Sequence, residues 1–264
     1  MCPIGADHTE RKTAPVIEGI DVAPIIDATT GTDAYTERLR AFYGGKQFEY
    51  GWASLCKMTV PDDLEGKTTL DIGCRRGRGV YKLSGRVGKA GRAIGLDWGV
   101  SYIEEAAEWS AHAASKSGLT ENNMAFILGF PEDLEAGGIQ EGSIDMVWVN
   151  SVINLVFDRA RCLREIYRVL KSGGILVCEM VTADGARDEG VVERAKAIGN
   201  SIQAAPSRET FMTELLEAGF VAAETIESHE VAVDAGFKPG YAVETVVGDE
   251  EVSFTAEVFK VAKC

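Results

Sequence analysis

The feature that most restricts the fold lies between residues 68 and 181. Five apolar runs of strand length, Thr68–Gly73, Arg92–Asp97, Met124–Gly129, Ile144–Asn150 and Ile175–Val181, are separated by stretches that include segments of helical period. Strands that alternate with helices make βαβ units, and βαβ units make a parallel sheet. Ile144–Asn150 is almost wholly apolar, the pattern of a strand covered on both faces. Helices are expected at Gly79–Val87, Val100–Ser117 and Asp158–Leu170. In Val100–Ser117, residues Ile103, Ala106, Ala107, Ser110 and Ala114 share one face. In Asp158–Leu170, residues Ala160, Leu163, Tyr167 and Leu170 point inward and four arginines outward, and Gly173-Gly174 separates the helix from the fifth strand.

Outside this block the pattern is weaker. Residues 1–31 carry Pro3, Pro15 and Pro24 without a sustained period and read as an irregular arm. Asp33 to Tyr43 reads as a helix stopped by Gly44-Gly45, and 51–61 as an aromatic loop. Beyond 182, helices are expected at 186–199 and 207–218, with Ser207 as N-cap and Gly219 as stop. Val221–Glu227 and Val252–Val261 alternate like strands that add to the sheet edge. The expected organisation is an arm and lid over residues 1–60, a ligand-binding core over 61–182, and helices and strands over 183–264 that complete the sheet and substrate pocket.

Charge excludes some functions. With 27 Lys and Arg against 41 Asp and Glu, the net charge is −14. A field of that sign repels phosphate backbones and anionic lipid, so neither nucleic acid nor membrane is an expected partner. No run of 18 apolar residues is present, and residues 1–8 lack the basic and apolar regions of a secretory signal. Cys2, Cys56, Cys74, Cys162, Cys178 and Cys264 form no C-x-x-C pair, which argues against a zinc ribbon and for a reducing, cytoplasmic setting. His8, His112 and His229 are dispersed, and no metal-spaced cluster or Ser/His/Asp order is visible.

The chemistry concentrates in Leu70-Asp71-Ile72-Gly73-Cys74-Arg75-Arg76-Gly77-Arg78-Gly79. A strand entering a glycine-rich turn and then a helix holds nucleotides: glycine lets the backbone turn and approach, and the helix N-terminus offers free N–H groups. Asp97 closes the next strand 18 residues after Gly79, close to the ~20 at which a carboxylate meets a ribose.

These residues resemble the class I S-adenosylmethionine-dependent methyltransferases over about Thr68 to Val181. A closer resemblance is to the arsenite methyltransferases. Asn150-Ser151-Val152-Ile153-Asn154-Leu155-Val156 is similar to that family's N-C-V-I-N-L-V. Glu165-Ile166-Tyr167-Arg168-Val169-Leu170-Lys171-Ser172-Gly173-Gly174 is similar to its E-x-Y-R-V-L-K-x-G-G, and Phe254–Lys260 to its F-x-x-x-T-F-R ending. Tyr43-Gly44 resembles the Y-Y-G ahead of its core. The resemblance implies a Rossmann-like, mostly parallel sheet with helices on both faces, an N-terminal lid and C-terminal additions. It also implies S-adenosylmethionine as cofactor and a small-molecule substrate. By the same resemblance, Gly73 and Gly77 line the methionine part and Asp97 takes the ribose hydroxyls. Trp98 packs on the adenosine, Glu132 stands at the adenine edge, and Asn150 faces the cofactor, with Tyr43 in the same group.

Two departures from the family stand out. Arg75 replaces the central glycine of G-C-G-x-G, and its side chain either turns to solvent, reaches a carboxylate of cofactor or substrate, or obstructs the cofactor. Of the arsenic-binding cysteines, one is Ser151, another aligns with Ser201, and only Cys56 stands near a third. Trivalent arsenic is soft and needs several thiolates. A harder set remains for the acceptor: Asn150, Ser151, Asn154 and Ser201, with Tyr50, Trp52 and Cys56 from the preceding loop. For Ser151 and Asn154 the alternative is backbone capping, and for Tyr50 and Trp52 it is core packing. The expected activity is methyl transfer to a small molecule other than arsenite. The alternatives are cyclisation of the cofactor to azetidine-2-carboxylate with release of methylthioadenosine, and non-catalytic cofactor binding.

Overall fold

The computed structural model describes residues 13–44, 59–231 and 246–264. The strands are β1 (Ile25–Asp27), β2 (Thr68–Ile72), β3 (Arg92–Asp97), β4 (Met124–Leu128), β5 (Ile144–Asn150), β6 (Leu170–Ala183), β7 (Ala223–Val231) and β8 (Phe254–Ala262). The helices are α1 (Ala34–Tyr43), α2 (Arg78–Val87), α3 (Val100–Glu108), α4 (Ser110–Lys116), α5 (Arg159–Val169), α6 (Glu189–Ile198) and α7 (Arg208–Glu217). The strands form one sheet in the order β1-β4-β3-β2-β5-β6-β8-β7. All neighbours from β1 to β6 run parallel, and β8 is antiparallel to both β6 and β7. The fold is therefore the Rossmann-like α/β class that the strand–helix alternation requires. Among the described residues, no helix is long and apolar enough to cross a membrane.

Each central strand sends alternate side chains to opposite faces. Val147 and Val149 join Cys162, Leu163 and Ile166 of α5 and Phe211 and Leu215 of α7 in one core. Met146 and Trp148 join Val80 and Leu83 of α2, Ile103 and Ala106 of α3 and Ala114 of α4 in the other. The expected N-cap Ser207 is in place, its Oγ accepting from Thr210 N, while Asp33, read as the first residue of its helix, instead caps it by accepting from the N–H groups of Tyr35 and Thr36. Gly219 takes φ +109 beside the Tyr167 ring, where a Cβ would come within 2.9 Å.

Three expectations are corrected. The arm is not wholly irregular: Ile25–Asp27 pairs in register with Phe126–Leu128 and forms the sheet edge. Three residues are too short to show a period, so only the tertiary pairing defines this strand. The helix expected over 100–117 is interrupted at Trp109. There Ser110 Oγ donates to the carbonyl of Ala107 at 2.7 Å and accepts from Ala23 N at 2.7 Å, and a hydroxyl bonded back into the preceding turn bends a helix. Gly173-Gly174 does not separate α5 from the next strand. Both glycines lie within β6, at the register shift between the Ile144–Leu170 and Met146–Ile175 pairs.

Candidate active site

The ends of β4, β3, β2, β5 and β6 stand side by side. Register places Asp97 opposite Leu128, Ile72 opposite both Leu96 and Val149, and Asn150 opposite Glu179. Gly73, Asp97 and Asn150 thus occupy one edge of the sheet, beyond which ligands of open α/β sheets bind.

The loop after β2 is built on left-handed residues: Gly73 at φ +76, Arg75 at φ +46 and Gly77 at φ +77. A Cβ at Gly73 would press on Val152 at 2.9 Å, and one at Gly79 would fall 2.1 Å from Asp71 Oδ2. The Asp71 carboxylate therefore lies against the first turn of α2, which only glycine permits. Burial, then the charge of Asp97, pushes the Asp71 carboxyl up to about 8. The sequence reading did not single out this acid; its position directly before the glycine loop was the available signal.

Asp97 is buried. Its Oδ1 accepts from Gly99 N at 2.8 Å and its Oδ2 from Arg75 N at 2.9 Å. Burial raises its carboxyl to about 6, against the pull of those N–H groups. Arg75 keeps a left-handed conformation that favours glycine, and its backbone serves Asp97. Its guanidinium centre lies 5.2 Å from the centroid of the buried Tyr102 ring. Arg76 covers the same ring at 4.9 Å and pairs with Glu105 at 2.9 Å.

Tyr43, Trp98 and Glu132 come together although α1 is remote in sequence. The Tyr43 ring lies 4.5 Å from that of Trp98 and is stacked on Phe130 at 5.3 Å. Its hydroxyl donates to Glu132 Oε1 at 2.7 Å and accepts from Phe157 N at 3.1 Å. Glu132 Oε1 also accepts from Asp158 N at 3.1 Å, while Oε2 is buried with no hydrogen-bond partner. Burial raises the Glu132 carboxyl to about 6, moderated by the Tyr43 hydroxyl.

Just after β5, Ser151 takes φ +55, donates its N–H to Glu179 O at 2.7 Å, and donates its hydroxyl to Asn150 Oδ1 at 3.0 Å. Asn154 is buried. Its Nδ2 donates to the carbonyls of Val181 and Ser201, both at 2.9 Å. Asn154 thus ties the end of β6 to residue 201 rather than capping its own turn, and its Oδ1 stays buried without a partner. Ser201 is itself buried. Tyr50, Trp52 and Cys56 lie outside the described residues. Of the described cysteines, Cys74, Cys162 and Cys178 are buried and Cys264 is exposed.

Behind Ser201 lies a buried polar network that sequence reasoning missed. Arg187 donates Nη1 and Nη2 to Asp249, Nη2 to Gln203 O at 2.7 Å, and Nε to Ala205 O at 3.0 Å. Gln203 Nε2 reaches Asp249 at 2.9 Å and Val246 O at 2.6 Å, and Gln203 Oε1 accepts from Asn200 Nδ2 and Val246 N.

Residues 63–219 match a family described as a methyltransferase domain. The mouse arsenite methyltransferase is 34% identical over 209 residues, 79% of this chain and 54% of that protein. A demethylmenaquinone methyltransferase of Lactococcus lactis is 32% identical over 54% of this chain and 52% of its own. The chain spans about half the length of such curated relatives. The crystal structure of an arsenic(III) S-adenosylmethionine methyltransferase from Chlamydomonas reinhardtii superposes with a TM-score of 0.70 at 28% identity, covering 86% of this chain and 73% of that one. With the glycine loop, the acid ending β3 and the matched domain agreeing, the chain belongs to the class I S-adenosylmethionine-dependent methyltransferases, on the branch that includes the arsenite methyltransferases.

Proposed function

We propose that the chain transfers a methyl group from S-adenosylmethionine to a small organic acceptor other than arsenite. One observation carries the reading: serines occupy positions 151 and 201, where the family resemblance puts arsenic-binding thiols. A hydroxyl is a hard, neutral donor and gives trivalent arsenic no thiolate.

The residues present fit the cofactor. Glu132 Oε2 is a buried acceptor in want of a donor, which an adenine amino group or ribose hydroxyl supplies. Asp97 is an acid held by backbone donors at the strand end, with lone pairs left for ribose hydroxyls. Bound, the cofactor supplies a methyl group already activated on a sulfonium. The chain's work is then to bind, orient and exclude water. Asp97 and Glu132 bind the nucleoside, and Tyr43 holds Glu132. Asn150 and Ser151 orient the acceptor, and Asn154 fixes the β6 end beside it.

The test follows products by chromatography with S-adenosylmethionine alone, with arsenite, and with phenol, amine and demethylmenaquinone acceptors. S-adenosylhomocysteine formed with an organic acceptor and not with arsenite supports the reading. Turnover of arsenite overturns it. So do methylthioadenosine formed without acceptor, which marks cyclisation, and the absence of any product, which marks a binding protein.

A further inference from the structure

Phe157 and Asp158, whose N–H groups reach Tyr43 and Glu132, also line a concavity of about 380 Å³. Arg38 of α1, Arg159 of α5, Lys196 of α6 and Glu214 of α7 surround it, with Phe157 and Asp158 among its walls. Three of these six residues are cations and two are acids, in a chain whose net charge is −14. The acids are engaged. Asp158 caps α5 by accepting from Arg161 N at 2.9 Å. Glu214 takes Nε and Nη2 of Arg159 at 2.5 and 2.9 Å, which leaves Nη1 of Arg159 to face other partners. Lys196 meets Glu193 at 3.1 Å, a half-exposed carboxylate. Arg38 has no carboxylate within 4.0 Å among the described residues; its guanidinium centre rests 5.2 Å over the Phe157 ring.

The three cations are matched by three carboxylates, Asp158, Glu214 and Glu193, and what is left over is the exposed Arg38 guanidinium beside an aromatic wall and the first turn of an 11-residue helix. At the helix end the Asp158 carboxylate already takes the N–H of Arg161, and the N–H groups of Arg159 and Ala160 keep no intrahelical acceptor. The volume lies at the small end of the range of small-molecule sites and exceeds the need of a bare ion. A guanidinium held flat over a ring keeps its donor edge free for an oxyanion.

We propose that this concavity binds a small organic anion, its carboxylate or phosphate group held by Arg38 and Lys196 and its apolar part against Phe157. The site does not depend on the proposed methyl transfer. It is nevertheless joined to the candidate cofactor wall, because Phe157 N–H donates to Tyr43 and Asp158 N–H to Glu132.

Calorimetry with phenyl phosphate, phenylacetate and inorganic phosphate tests it on the full chain, with Arg38→Gln and Lys196→Gln as variants whose melting temperatures confirm folding. At least one aromatic anion should bind wild type with a Kd of ~1 mM or tighter, more tightly than inorganic phosphate, and at least tenfold more weakly to each variant. Which of the two aromatic anions binds identifies the preferred oxyanion. The proposal is overturned if neither binds, or if either variant binds as wild type does. Because the readout is binding without cofactor or acceptor, its failure leaves the methyl-transfer reading untouched, and the reverse also holds.

Discussion

The Arg187–Asp249 pair offers the sharpest test of how the region behind Ser201 is held. Both side chains are over nine-tenths buried, at 7% and 5% exposure, and Arg187 also satisfies the carbonyls of Gln203 and Ala205. Replacing Arg187 with Met keeps most of the volume and strands a buried carboxylate. Breaking such a pair from one side costs about 3–5 kcal/mol, because the remaining charge is desolvated without compensation. At ~2–4 °C per kcal/mol for a chain of this size, the melting temperature should fall by ~6–20 °C. Asp249→Leu should cost a similar amount. The double variant removes both charges at once, so it should cost less than the sum of the two by about 2–3 kcal/mol. It does not return to wild type, since the Gln203 and Ala205 carbonyls lose their donor and Gln203 Nε2 keeps only Val246 O. Urea denaturation of the four proteins measures this cycle. Single variants that lose under 1 kcal/mol, or a double that is additive within about 0.5 kcal/mol, would refute the account of a desolvated, mutually dependent pair.

Further outcomes follow from the site. Asp97→Asn should weaken S-adenosylmethionine binding by about 1.5–3 kcal/mol per lost charge-assisted bond. Wild-type affinity should itself fall as pH drops through about 6, where Asp97 gains its proton; calorimetry that finds a flat profile from pH 5 to 8 refutes the assignment. Asp71 is read in stability rather than in affinity. Its folded carboxyl is raised to about 8 against an unfolded value near ~3.9, so its contribution is whole below pH ~4 and is lost as pH rises through 8. Asp71→Asn should therefore lose less stability than wild type between pH 6 and 9, and parallel denaturation curves would count against it. Arg75→Gly should stabilise or be neutral. It relieves a left-handed conformation costing ~1–2 kcal/mol while the N–H to Asp97 remains, so a loss above ~1 kcal/mol in urea would show the guanidinium to be structural.

The local devices were legible because each is written in a few adjacent residues. Ser207 and Gly219 bracket α7, and Gly73, Gly77 and Asp97 mark the ends of β2 and β3. The partners of those residues were not. Tyr43 meets Glu132 across 89 positions, and Arg187 meets Asp249 across 62; no periodicity encodes such a pairing. Asn154 shows the limit most clearly. Its place after β5 was visible, yet the two carbonyls that occupy its amide lie 27 and 47 residues away. The break at Trp109 depends on Ser110 bonding to Ala23, a contact that the helical period of 100–117 cannot reveal.

The position of β8 has a consequence for how the chain acquires its shape during synthesis. β8 pairs along nine residues with β6, and among the described residues β7 joins the sheet only through β8. A nascent chain that has exposed residues up to 231 holds β7 with no place to dock and β6 with an open hydrogen-bonding edge. The sheet closes only when residues 254–262 emerge. A pairing so distant in sequence folds slowly and leaves an aggregation-prone edge until then. A ribosome stalled before that point should release a protease-sensitive chain, and one stalled well beyond it a resistant one.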